Sequence, residues 1–169
     1  MKNGHELLDE CFRTAEVSDG GYFAGEIFRH KLGGELPDYG RHVVAFYKPD
    51  WDHIVPLGYQ HVLEYEGLGL CGGGSVDGRG FRHVPDHHRE ELRDRGGVLF
   101  LLLRHVIERM ENEYEAFFVY CGDKRSQEVC HAAGFQRLEG SFLMPCFHRP
   151  LAEGRKQELL EIALNHGPF

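Results

Sequence analysis

Apolar side chains recur along this chain with two periods, and the changes between them divide it into elements. Over residues 5–15, Leu7, Leu8, Cys11, Phe12 and Ala15 share one face at helical spacing, which predicts a helix. After the Asp19-Gly20-Gly21 turn, a weaker helical pattern covers residues 22–32 and stops at Gly33-Gly34. Pro37-Asp38-Tyr39-Gly40 reads as a loop. The pattern then becomes β-branched and aromatic, and residues 42–47, 53–66 and 67–77 read as strands of an antiparallel meander. Gly72-Gly73-Gly74 interrupts the third of these. A strand so rich in glycine is weak by propensity, and it suggests a bulge or a ligand lying against bare backbone.

Residues 86–95 form a short, highly charged helix candidate, followed by Gly96-Gly97 and then six consecutive apolar residues, Val98 to Leu103. Such a run fits a buried strand. The pattern continues through Leu99, Leu102, Leu103, Val106 and Met110, however, and that spacing predicts a buried helix of about four turns. Residues 116–121 are a continuous apolar run of strand length, residues 126–133 a short helix stopped by Gly134, and residues 136–147 one or two closing strands. A last amphipathic helix spans residues 151–165, either packing on the core or meeting a second copy as a homodimer. The order is helices over residues 1–40, a meander, then β–loop–α–β–α–β. It predicts one mixed α/β domain over residues 1–169.

Composition narrows the function classes. Lys and Arg number 19 against 27 Asp and Glu, a net charge of −8, which argues against general nucleic-acid binding and is compatible with a cationic partner. Nothing resembles an apolar signal core or a membrane-spanning stretch, and five irregularly spaced cysteines make no disulfide framework, so a reducing cytoplasm is the expected compartment. His83, His87 and His88 with Asp86 invite a zinc reading. Pro85 interrupts a shared helix face, no second ligand pair follows, and a solvated loop is the plainer reading. Cys130-His131 are adjacent, which does not by itself make a nucleophile and its base.

The informative arrangement is Arg93-Asp94-Arg95-Gly96-Gly97-Val98 opening a buried helix. A helix start leaves backbone N–H groups unpaired with the positive end of the dipole behind them, and glycine lets a diphosphate approach the main chain. These residues resemble the GNAT superfamily of acyl-CoA N-acyltransferases, whose pyrophosphate loop runs Arg/Gln-x-x-Gly-x-Gly/Ala. Arg93 and Gly96 match, and Val98 stands where a smaller residue is usual. Downstream, residues 121–126 followed by Cys130 and Gly134-Phe135 resemble the family's strand, Asn, short helix, Gly-Phe layout, with Asp123 in place of Asn and Ser126 where a small residue is common.

The resemblance covers residues 40–147 and implies a mostly antiparallel sheet with a central splayed parallel pair that grips acetyl-CoA. It implies cofactor contacts from Gly74, Ser75 and Val76 on one strand and from Arg95, Gly96, Gly97 and Val98, whose N–H groups would hold the pyrophosphate. Arg93, Asp123, Lys124, Arg125 and Ser126 would add to them. The acceptor would be a small-molecule amine or a peptide amino group. About 15 residues (78–92) separate Val76 from the loop where the family has few, so residues 81–84 are an alternative end of the splayed strand. Cys130 falls where many members carry a proton-donating Tyr; it is either that acid or a small buried residue. Glu64, Glu66 and Asp77 are the candidate general bases. Two other readings stay open: the same fold binding CoA or a partner without turnover, and a metal- or cysteine-dependent hydrolase.

Overall fold

The computed structural model describes residues 7–169. A one-turn helix, α1 (Leu8–Cys11), leads into β1 (Phe12–Val17) and α2 (Gly20–Leu32). The meander follows as β2 (Arg41–Tyr47), β3 (Val55–Tyr65) and β4 (Leu68–Val76). A 3₁₀ turn over Gly78–His83 and α3 (Asp86–Asp94) precede α4 (Val98–Met110). The chain closes with β5 (Ala116–Tyr120), α5 (Lys124–Ala133), β6 (Leu143–Cys146) and α6 (Glu153–His166). The six strands form one sheet in sequence order, antiparallel throughout except for the parallel pair β4–β5.

Apolar alternation explains how the sheet is covered. Val43, Ala45, Leu57 and Val62 on one face meet Leu102, Leu103 and Val106 of α4, all fully or almost fully buried. On the other face, Leu68, Leu70, Ala116 and Phe118 pack against Leu159 and Ala163 of α6, while Ala24 of α2 meets Val44 and Tyr59. The helix reading of the six-residue apolar run therefore holds, because its 3.6-residue stripe is the one that lies on the sheet. The closing helix packs on the core.

One element differs from expectation, and two open readings are resolved. The helix expected over 5–15 gives one turn and then a strand; residues 5 and 6 lie outside the described residues. Leu8, Cys11 and Phe12 do share the core face. From Phe12 onward, however, six residues pair with β2 (Phe12↔Tyr47 to Val17↔His42), so sheet hydrogen bonds override the helical spacing. Residues 81–84 fall in and just after the 3₁₀ turn, so β4 ends at Val76. Residues 136–147 contain one strand, Leu143–Cys146.

Candidate functional site

The site is built by a sheet that comes apart. Parallel pairing between β4 and β5 runs from Leu68↔Ala116 to Cys71↔Val119 and stops, although β4 continues for five more residues to Val76. A bulge sits in that free stretch. Tyr59 faces Ser75 and His61 faces Gly72, so Gly73 and Gly74 together stand opposite Gln60, with Gly73 at φ 59°. Gln60 Nε2 donates to the carbonyls of Gly72 (2.9 Å) and His61 (3.0 Å), which fixes the bulge from the β3 side and leaves the β5 side open.

The opening is a cleft of about 720 Å³ that narrows into a chamber of about 210 Å³ between the strands. Gly74, Ser75, Val76, Arg93, Gly96, Gly97, Val98, Asp123, Arg125 and Ser126 all line the wide part, so segments that are far apart in the chain meet there. Lys31 and Leu32 from α2 and Phe81, Arg89 and Leu92 from the segment after β4 complete the wall. These residues carry no motif of their own; only the fold brings them in.

The loop into α4 corrects the expected set of phosphate donors. Gly97 N–H donates to Leu92 O (2.8 Å), Gly96 N–H to Arg93 O (3.0 Å) and Arg95 N–H to Glu91 O (3.0 Å). This is a Schellman closure of α3, with Gly96 at φ 98° and Gly97 at φ 87°, conformations that favour glycine. Three of the four N–H groups expected to face a phosphate are thus already spent. Leu101 N–H is the first to bond back within α4, to Gly97 O (3.1 Å), so the groups left over are those of Val98, Leu99 and Phe100. No side chain caps Gly97.

Two positions apart on the last turn of α3, the two arginines face opposite ways. Arg93 lines the cleft, whereas Arg95 points to the far side of the loop and pairs with Asp9 and Glu91. Neither Arg95 nor Lys124 lines the cleft or the chamber. Of the cleft cations, Arg89 donates to Val84 O (2.7 Å) and pairs with Asp86; among the described residues no ion pair holds Lys31, Arg93 or Arg125. The carboxylate in the wall, Asp123, caps α5 by accepting from Ser126 N–H (2.9 Å), and those Ser126 hydrogen bonds keep it below the usual carboxylate range. A chain of net charge −8 thus presents a cationic cleft. Ser75 Oγ, in a residue only 6% exposed, has no hydrogen-bond partner among the described residues, which is costly unless water or a ligand supplies one.

The expected bases are placed elsewhere. Glu64 is exposed and pairs with Gly69, toward the closed end of the sheet, and Glu66 (φ 48°) sits in the turn joining β3 to β4. Asp77 caps the 3₁₀ turn and pairs with Arg79 at 2.7 Å; the hydrogen bond from that guanidinium holds its carboxyl low, so it is a poor proton acceptor. Cys130 reaches the chamber wall but is 2% exposed, its sulfur 3.2 Å from that of Cys121. That contact and burial push the Cys130 thiol far up, which makes it a weak acid at neutral pH. Among the described residues lining cleft and chamber there is no histidine.

The histidine-rich stretch does not assemble into a metal site. His88 turns inward and its Nδ1 meets Tyr47 Oη at 2.7 Å, and among the described residues no group of three His, Cys, Asp or Glu is placed to hold an ion. No helix of the described residues is long and apolar enough to cross a membrane.

No family model and no curated protein matches the sequence. Among solved structures, the fold is similar to that of a proposed acetyltransferase from Pyrococcus horikoshii, with a TM-score of 0.52 and 14% identity over 80% of this chain. The match takes in 47% of that protein, so this chain spans about half its length. What the likeness shows is the architecture, a mixed sheet with one parallel pair and flanking helices.

Proposed function

We propose that the protein is an acyl-CoA-dependent N-acyltransferase that moves an acetyl group from acetyl-CoA to an amine, either a small molecule or a peptide amino group. The observation that carries the reading is the parallel pair that parts after Cys71 and Val119 and opens beside the start of α4. An extended pantetheine arm fits such a gap as an added strand against the free edge of Gly72–Val76. The diphosphate would rest on the N–H groups of Val98 to Phe100, at the positive end of the helix, with Arg93, Arg125 and Lys31 supplying countercharge. Ser75 Oγ, lacking a partner among the described residues, suits a hydrogen bond to the arm's amides. The amine lone pair attacks the thioester carbon, a β4 backbone N–H supports the oxyanion, the nitrogen gives up a proton to water, and collapse forms the amide and expels the thiolate, which takes up a proton from water.

The absence of a free carboxylate or histidine from the described lining favours one second reading, a module that holds CoA without turnover. Calorimetry with CoA, followed by thiol release from acetyl-CoA with a panel of amines, separates them. Micromolar-range binding with amine-dependent release is the expected result. Binding without release selects the module, and no binding sinks both.

A further inference from the structure

The chamber where β4 and β5 part has an end wall of its own. Gly72 is the first β4 residue beyond the last parallel pair, and a side chain there would collide with Phe169. A Cβ on Gly72 would lie 2.9 Å from both the main-chain carbonyl carbon and oxygen of that residue. The Phe169 ring lies 5.2 Å from the ring of Tyr120, the last residue of β5, and 5.9 Å from that of His166. Phe169 therefore bridges the parted strands, its main chain on one and its ring on the other, on the α6 face of the sheet. Cys71, Leu103, Val119 and Cys130 line the chamber too and are almost wholly buried in the core, whereas Phe169 follows α6 outside regular structure and is half-buried.

The chamber is small, about 210 Å³. A ligand chain threaded from the α4 start toward the closed end of the sheet meets Phe169 at its tip. Resting on the acyl-CoA reading above, we propose that Phe169 is the specificity-determining residue for acyl length, admitting short groups and excluding longer ones.

The test needs no knowledge of the acceptor. Affinities for CoA, acetyl-CoA and hexanoyl-CoA are measured by calorimetry on the wild type, Phe169→Ala and Phe169→Leu, with melting curves to confirm folding. The wild type should bind hexanoyl-CoA at least about tenfold more weakly than acetyl-CoA, since each excluded methylene is worth roughly tenfold or more. Phe169→Ala should bring the two within about threefold, Phe169→Leu should fall between, and CoA itself should bind all three proteins alike. Unchanged discrimination in both folded variants overturns the inference while leaving the acyl-CoA reading standing. Failure of the wild type to bind CoA overturns the reading and the inference together.

Discussion

Two arginines two residues apart should behave as opposites. Arg93 faces the cleft without an ion-pair partner among the described residues, and Arg95 faces away and bridges Asp9 to Glu91. A charge-assisted hydrogen bond contributes ~1.5–3 kcal/mol, but Arg93 is exposed, so solvent screening brings the expected share down to ~1–2 kcal/mol. At ~1.4 kcal/mol per factor of ten, Arg93→Glu should weaken CoA binding about five- to thirtyfold. Part of that loss should vanish as salt rises. Arg95→Glu instead breaks two surface ion pairs and leaves three carboxylates together. It should cost ~1–2 kcal/mol of stability, or about 2–8 °C in melting temperature, while leaving CoA affinity within about twofold. Calorimetry and thermal melts on both variants read the contrast. Equal loss of affinity in the two would show that the loop is wrongly oriented, and no loss in Arg93→Glu would remove the diphosphate from the start of α4.

Three further outcomes are expected. With no free carboxylate in the described lining, the amine must shed its proton to water, so kcat/KM should climb with pH to an inflection set by each acceptor's own pKa; one shared inflection near neutrality would reveal an enzyme base. Glu64→Gln should keep turnover within about twofold, whereas a true general base is worth ~10²–10⁴-fold, so a large loss would return that residue to the mechanism. His42, His61 and His105 are all held below their ordinary value near 6.5, chiefly by burial, so the unfolded chain takes up protons first. Stability should therefore be level above that pH and fall below it, with a shallower fall in His42→Asn melts; an unchanged slope would count against His42's share.

Much of this was legible wherever local pattern and long-range packing agree. The apolar stripe from Val98 to Met110 gives α4 because its period and its buried face coincide. The triple glycine announced a disturbed strand, and its bulge stands at the mouth of the cleft. Phe12 to Ala15 departs from the expected helix because its helical spacing is real, yet the β2 edge lies alongside, and partners 29 to 35 residues away leave no mark in the segment itself. Arg93 and Arg95 were alike in sequence for a similar reason. What separates them is Asp9, a partner 86 residues away, and their placement on opposite sides of the last turn of α3. Lys31 and Phe169 had no chemical signature at all. They matter only because α2 ends at one side of the parted strands and α6 at the other.

The segment between β4 and the loop, longer than the sequence resemblance implies, is what the cationic cleft depends on. Folding as a 3₁₀ turn and α3, it carries Phe81, Arg89, Leu92 and Arg93 to the cleft wall. Closing α3 with a Schellman turn then consumes the N–H groups of Arg95, Gly96 and Gly97. The two facts belong together: a loop whose own backbone donors are spent can hold a diphosphate only through the first turn of α4 and through side chains. Side-chain charges at a solvent-exposed rim are screened far more readily than a preorganised ring of amides. CoA affinity should therefore fall steeply with ionic strength, and a flat salt dependence would mean that the amides of Val98 to Phe100 hold the diphosphate without the side-chain charges.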